Sequence, residues 1–266
     1  MRFLMCRPDY YNIEYEINPW MDVSKATKHQ DAVNQWNILF KTLLSCGASI
    51  DLITPVKGYP DMVFTANAGL FYQNKMILPH FKFKERQGEL PYYEKWFDQA
   101  GFQCWNKVDD HTPFFEGAGD ALFAGEKLFV GFGFRSDQRF YEKAGYLDAN
   151  KLIYCELIDP YYYHIDTCFC PLNDKLAIWY PSAFSPDSQT RMQKEIELIA
   201  VSENEAKRFA CNAVVIDKHV VLPDDCPLIS SLLEQRGFQV HACKMDEFIK
   251  AGGACKCLTL RLDYDE

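Results

Sequence analysis

Nowhere in this 266-residue chain does an apolar run approach the roughly 20 residues needed to cross a bilayer. The opening segment, Met1-Arg2-Phe3-Leu4-Met5-Cys6-Arg7-Pro8-Asp9, breaks off too early for a secretory core. No membrane association and a cytoplasmic location are therefore expected. Positive charge is also scarce, with 28 Lys and Arg against 37 Asp and Glu and a formal net charge of -9. Phosphate backbones are bound by clustered Lys and Arg, so this balance excludes a nucleic-acid surface and favours small cations as ligands. The C-x-x-C spacing of structural zinc sites is missing too. The two close cysteine pairs, Cys168/Cys170 and Cys255/Cys257, are C-x-C, so no metal is expected from them. Finally, no Ser/Gly/Pro-rich linker, low-complexity tract or charge block interrupts the chain, which predicts one domain, 1–266.

What is abundant is apolar surface: 48% of residues are hydrophobic and 15% aromatic, enough for a substantial core. Eleven cysteines is an odd count in a chain too long to need staples, so free thiols are expected rather than a disulfide framework.

Four short hairpins recur, each with apolar residues on both sides of a polar turn ending in lysine: 69–78, 121–130, 168–178 and 213–221. Their turn lysines, Lys75, Lys127, Lys175 and Lys218, are about 52, 48 and 43 residues apart, a loose period typical of repeated supersecondary units. Amphipathic helices are predicted between them at Ala26–Ser45, Pro91–Ala100, Asp187–Ile199 and Leu228–Gln235. Further strands are predicted at Ile50–Val56, Phe102–Val108, Leu152–Leu157 and Gln239–Cys243. A period of about 50 gives roughly five modules, which must close on one another to bury their faces. The fold class is α/β, a ring of five.

Polar residues interrupt apolar surroundings just before three hairpins: Pro60-Asp61-Met62-Val63-Phe64-Thr65-Ala66-Asn67, Phe114-Phe115-Glu116-Gly117-Ala118-Gly119-Asp120, and Tyr163-His164-Ile165-Asp166. These places are equivalent in the repeat, so ring closure turns them toward one centre. Glu116 and His164 occupy the same slot relative to their turn lysines. Glu116, between phenylalanines and glycine, reads as buried and so requires a partner, whereas Asp120 is as well explained by a Gly-rich turn. His164 and Asp166 are two apart, which on a strand places them on one face.

Near the C-terminal end stands Gly252-Gly253-Ala254-Cys255-Lys256-Cys257. A free cysteine is ordinarily a small buried hydrophobe, but a double glycine before it frees the backbone for close approach to another group. One thiol, one imidazole, several carboxylates and a carboxamide suit attack on a planar cation. Carboxylates grip a guanidinium by its edges, and a thiolate can approach the central carbon from above. The imidazole then protonates the leaving amine and activates water. This chemistry calls for no cofactor and no metal.

Phe64-Thr65-Ala66-Asn67, Glu116 to Asp120, His164-Ile165-Asp166 and the Gly-Gly-x-x-x-Cys ending at Cys257 together resemble the guanidino-group-modifying enzymes, which include arginine deiminases, dimethylarginine dimethylaminohydrolases, amidinotransferases and arginine dihydrolases. The resemblance implies a pentein fold, a five-bladed α/β propeller with pseudo-fivefold symmetry. It implies Cys257 as nucleophile, His164 as acid/base, and Glu116 and Asp166 as the acids that grip the guanidinium and orient the histidine, leaving Cys255 to packing. Arginine deiminases carry F-T-R-D where this chain has F-T-A-N. An Asn67 that both donates and accepts could hold a ureido oxygen as well as a guanidinium. The chain in this respect is similar to the arginine dihydrolases, as is Glu16-Ile17-Asn18-Pro19-Trp20-Met21, which adds Asn18 to the substrate shell. Arg86 and Arg135, on loops after hairpin strands, are the candidates for a substrate carboxylate, with Asp120 also at the substrate.

The leading expectation is thus a hydrolase converting L-arginine, or a related small guanidino compound, to ornithine, ammonia and carbon dioxide. The rivals are a deiminase, a methylarginine hydrolase, an amidinotransferase and a non-catalytic binding module of the same fold. The sequence leaves room for a homo-oligomer.

Overall fold

Polar loop tips and short β-branched or aromatic runs cut the chain into strands of two to six residues, which pair into five separate three-stranded sheets. The computed structural model describes residues 1–263. In chain order, β1 (Arg2–Cys6), α1 (His29–Ser45) and β2 (Ser49–Ile53) begin the first sheet. The second comprises β3 (Leu70–Tyr72), β4 (Lys75–Ile77) and β5 (Gln103–Cys104), with α2 (Lys84–Gln87) and α3 (Leu90–Gln99) before the last strand. The third holds β6 (Ala121–Ala124), β7 (Lys127–Phe132), α4 (Gln138–Lys143) and β8 (Leu152–Glu156). The fourth holds β9 (Phe169–Pro171), β10 (Leu176–Trp179), α5 (Pro186–Glu195) and β11 (Glu197–Ala200), followed by α6 (Glu203–Ala206). The fifth holds β12 (Val214–Ile216), β13 (His219–Pro223), α7 (Pro227–Gln235) and β14 (Gln239–Cys243). After α8 (Asp246–Ile249), β15 (Leu260–Arg261) returns to the first sheet.

Every sheet has one plan: an antiparallel pair, then a third strand that comes back parallel after a helical crossover. In the first sheet the antiparallel pair is β15 with β1, Leu4 opposite Leu260, and β2 runs parallel to β1. This module lacks a hairpin in sequence because its two halves come from opposite ends of the chain. Four hairpins and one closure make the five-bladed pentein ring.

The helices are driven onto the sheets by their apolar stripes. On α1 the buried positions are Ala32, Gln35, Trp36, Leu39 and Leu43, the three- and four-residue spacing of one face. Each large apolar side chain so buried contributes about 1.5–3 kcal/mol. The core is distributed between blades as four clusters, not gathered at the axis. The axis is instead lined by turns, and hydrogen bonds link these in a closed circuit. Ala66 N–H donates to Cys257 O (3.1 Å), Ala118 N–H to Gly69 O (2.8 Å) and Ile165 N–H to Asp120 Oδ1 (3.1 Å). Asn212 Nδ2 donates to Asp166 O (2.9 Å), and Lys256 N–H to Asn212 O (3.1 Å). Each blade thereby fixes the central turn of the next.

Element boundaries depart from the sequence expectations in a few places. The helix predicted over Asp187–Ile199 stops at Glu195, because Ile196 takes extended angles and the Glu-Leu-Ile-Ala run after it pairs with β10. The strand predicted over Phe102–Val108 is reduced to Gln103–Cys104; beyond it Trp105 anchors differently, its indole Nε1 donating to Tyr72 O at 2.9 Å. The helix predicted from Ala26 begins at His29, and the strand predicted to Val56 ends at Ile53, two residues before Pro55. Among the described residues no helix is long and apolar enough to cross a membrane.

Candidate functional site

The turns at the axis enclose one narrow cavity. It is lined by Cys257, His164, Asn67, Asp61, Arg86 and Arg135, and by a strap of Ile17, Asn18 and Met21. Its space is about 10 Å³, room for little more than one water.

Cys257 is buried at 4% exposure and follows the two glycines for the steric reason their position suggested. Gly252 has φ +83°, and a Cβ there would lie 2.9 Å from both Asn18 Oδ1 and the Tyr163 hydroxyl oxygen. Asn212 holds the cysteine turn: its Oδ1 accepts from Ala254 N–H and Cys257 N–H, both 3.1 Å, and its Nδ2 lies 3.0 Å from Cys257 Sγ. On its other side Sγ contacts Asp166 Oδ2 at 3.4 Å and Oδ1 at 3.6 Å. Burial, and then the Asp166 charge, push the thiol well above its usual range, so it rests protonated. Asp166 itself is pushed up to about 6 by burial, opposed by Lys256, Cys257 and Asn212.

The facing wall is built on charge pairing. His164 Nε2 lies 2.9 Å from Glu116 Oε2, the oxygen that also accepts from Arg135 Nη1 at 2.9 Å. Glu116 Oε1 accepts from Lys82 N–H at 3.2 Å. Burial alone would raise Glu116, but Arg135 and His164 outweigh it and hold the carboxylate well below its usual range. An ionised acid can only accept, which assigns the proton of this bond to His164 Nε2. Asp120 lies behind, accepting from Ser136 Oγ (2.7 Å) and Ile165 N–H (3.1 Å), 3.9 Å from His164 Nε2; burial raises it to about 6 against the pull of His164. The Arg135 guanidinium is stacked between Phe83 and Tyr163 and donates from Nη2 to Ile17 O at 2.9 Å.

Asn67 is fixed at both ends: Nδ2 donates to Glu116 O at 2.9 Å, and Oδ1 accepts from Arg86 Nη1 at 2.8 Å. Gly119 makes room for it, since a Cβ there would sit 2.3 Å from Asn67 Nδ2. Arg86 forks onto Glu89 through Nε (2.9 Å) and Nη2 (2.8 Å), and Nη2 also reaches Asp61 O (3.1 Å). It sits in α2 rather than in a loop, and four bonds occupy most of its donors. Asn18 accepts from Trp20 N–H at 2.9 Å and donates to Ala251 O at 3.0 Å, tying the strap to the glycine turn.

Every residue singled out in the sequence is thus buried at or directly behind this cavity, Asn18 excepted in being half-buried. One reason for expecting them there fails: His164 and Asp166 flank and join a 3₁₀ turn, not a strand, and Asp166 faces the cysteine while Glu116, with Asp120 behind, meets the histidine. Two residues escaped the sequence reading. Asn212 stands directly before the fourth hairpin, where the slot argument was not carried. Asp61 lay inside a polar stretch already noted; its buried Oδ1 makes no well-formed hydrogen bond among the described residues, and burial, opposed by Arg86 and then by the Tyr15 hydroxyl, raises the acid.

Comparison with known proteins places these motifs in a lineage. ArgZ of Synechocystis sp., a bifunctional arginine dihydrolase/ornithine cyclodeaminase, is 44% identical over 98% of this chain, which spans 38% of that protein's length. The N(G),N(G)-dimethylarginine dimethylaminohydrolase of Mycobacterium tuberculosis is 36% identical over 98% of the chain and 85% of its own length. A crystal structure of the ArgZ N-terminal domain, a Cys-to-Ser variant bound to substrate, superposes with a TM-score of 0.92 at 42% identity, covering 98% of this chain and 97% of that one. The model of the family described as N,N dimethylarginine dimethylhydrolase, eukaryotic, matches residues 12–263, and the chain belongs to that family.

Proposed function

We propose that the chain is a single catalytic domain that hydrolyses the guanidino group of L-arginine in two rounds at Cys257, giving ornithine, two ammonia and carbon dioxide. The observation that carries this is Cys257 Sγ set between Asn212 and Asp166 in a cavity shared with His164, Asn67 and Asp61. Identity to ArgZ along nearly the whole chain supports the dihydrolase reading over the methylarginine one.

Asp166 touches the sulfur, so a planar cation gripped by that acid presents its central carbon to Sγ. The cation also offsets the charge that keeps the thiol protonated, and as substrate arrives the thiol passes its proton to His164, leaving a thiolate and an imidazolium. Sulfur adds to the carbon, His164 protonates the departing nitrogen, and ammonia leaves as the C–N bond breaks. The same imidazole deprotonates water, which adds to the carbon and expels the sulfur, leaving the ureido product. In the second round sulfur displaces the remaining terminal nitrogen, and hydrolysis yields a carbamate that loses carbon dioxide to give ornithine.

Asp61 supplies an unpaired oxygen for a substrate N–H from the Arg86 side. Arg135, with two of its five donors committed, receives the α-carboxylate. Arg86 positions Asn67 and Asp61 more than it binds. The cavity is too small for arginine, so the strap carrying Ile17, Asn18 and Met21 opens for entry.

Asn67 decides between one round and two. Its amide donates to Glu116 O, which an aspartate could not do, and it leaves a second N–H for a ureido oxygen. The test is incubation with L-arginine, L-citrulline and asymmetric dimethylarginine separately, quantifying ammonia, citrulline, ornithine and dimethylamine. Ornithine from both arginine and citrulline is expected, and Asn67→Asp should turn the arginine product toward citrulline by about tenfold or more. Dimethylamine release without ornithine would overturn the assignment.

A further inference from the structure

Outside the cavity the fold gathers a second set of reactive side chains. His219 begins β13 and His241 is central in the parallel strand β14, where Val221 is the direct partner of His241. Residues 219 and 221 are two apart and share a face, so the two imidazoles are diagonal neighbours on one side of the fifth sheet. His219 Nδ1 and His241 Nε2 lie 2.9 Å apart, with ring centroids separated by 5.1 Å. Onto this face comes Cys46, the residue that ends α1, itself 4% exposed. One ligand atom from each of the three falls within 4.8 Å of the others. The two histidines are part-buried, so the cluster is open to solvent on one side.

We propose that Cys46, His219 and His241 form a binding site for a borderline-soft divalent ion of the zinc type, with a fourth position left to water. One sulfur and two imidazoles are ligand types that zinc takes, the same set also serving copper, whereas hard cations such as calcium and magnesium prefer oxygen. The spacing closes on a tetrahedral ion by side-chain adjustment. Ligand bonds of roughly 2.0–2.1 Å to nitrogen and 2.3 Å to sulfur require separations of about 3.3 Å between nitrogens and about 3.6 Å from nitrogen to sulfur. The histidine nitrogens open by a few tenths of an ångström, the sulfur closes by as much as about 1.2 Å from the 4.8 Å bound, and the proton the imidazoles share moves to the other nitrogen of the ring that carried it. As the metal–sulfur bond forms the Cys46 S–H bond breaks, its proton passing to buffer.

None of the three residues lines the catalytic cavity, and neither C-x-C pair takes part. The ion would instead pin the end of α1, which leads into β2 of the first sheet, to the fifth sheet. The fifth sheet is the blade beside the one in which the two ends of the chain pair.

The experiment uses the full chain, stripped of metal, carrying Cys257→Ala so that the catalytic thiol cannot bind. Titration with cobalt(II), then displacement by zinc(II) in competition with a chromophoric chelator, should give one ion per chain. A sulfur-to-cobalt charge-transfer band and the intense visible bands of a tetrahedral centre are expected. Cys46→Ser should abolish the charge-transfer band, whereas Cys255→Ser keeps it. His219→Gln and His241→Gln should each weaken binding by more than the roughly 10–100-fold typical of losing an outer partner. Zinc should raise the thermal midpoint of the starting protein and not that of His241→Gln. Absence of a bound ion, or binding that survives both Cys46→Ser and His219→Gln, overturns the proposal. If Cys46→Ser fails to fold, the two part-exposed histidine variants still decide it.

Discussion

Glu116 and Asp166 are both buried to within 1% exposure, stand on adjacent blades and flank the same cavity, yet their surroundings are opposite. Glu116 receives Arg135, His164 and a backbone N–H, and is held anionic far below its ordinary range. Asp166 has the thiol and Lys256 for neighbours and no guanidinium of the protein's own, and it is pushed up to about 6. One wall carries a compensating cation in direct contact within the fold. The other has, among the described residues, only the charge of Lys256, which does not offset burial, and a cationic substrate completes it. A site that must bind a cation and then release a neutral product gains from this division, because only the wall next to the sulfur changes its electrostatics between the two.

The comparison is most severely tested at the sulfur between them. Cys257→Ser should lower turnover by at least about 10⁴-fold, since a hydroxyl in this setting is a far weaker nucleophile. Cys255→Ser, two residues away and wholly buried, should keep most of the rate. Steady-state ammonia release from arginine measures both, and equal losses would mean that the thiol is misassigned.

Next is the compensated wall. Glu116→Gln strands the buried Arg135 and frees His164 from its orienting acceptor. Breaking a buried pair of this kind costs about 3–5 kcal/mol. The sign with pH follows from the depressed acid: its stabilising effect is present above the unfolded carboxyl value and is lost as pH falls from there through the depressed folded one. Chemical denaturation should therefore show the Gln variant weaker at pH 7 and the gap closing below about pH 4. Turnover should drop by about 10²–10⁴-fold at neutral pH. A variant as stable as the parent at pH 7 would refute the compensated reading of this wall.

How far such a site can be read from residues alone differs between the two walls. Repeat period and turn lysines exposed four hairpins, and the polar stretches before three of them held Asn67, Glu116 and His164, the last two in one slot. The first blade was invisible to that reading because β1 and β15 are separated by nearly the whole chain. Asn212 went unnoticed because its role is to accept from the backbone N–H groups of Ala254 and Cys257, which no local pattern announces. For Asp166 the residue was legible and its contact was not: a 3₁₀ turn, set by ring closure, rotates it from the histidine toward the sulfur. Boundaries failed where tertiary pairing overrode helical periodicity, as at Ile196.

The gentlest test is on the uncompensated wall, and its sign is reversed. Asp166 is an acid raised from 3.8 to about 6 in the folded chain, so its contribution to stability is fully present below the unfolded value and is lost as pH rises through 6. A shift of that size corresponds to a penalty of about 3 kcal/mol once the group is ionised. Asp166→Asn keeps the shape and removes the charge. It should be more stable than the parent at pH 8, by up to about 3 kcal/mol, with the advantage fading toward pH 4, while turnover falls because the grip on the cation is gone. Paired urea titrations at pH 4, 6 and 8 read this directly. If Asn at 166 destabilises at pH 8 as Gln at 116 does at pH 7, the two walls are alike, and the cation's arrival is not what sets the thiol free.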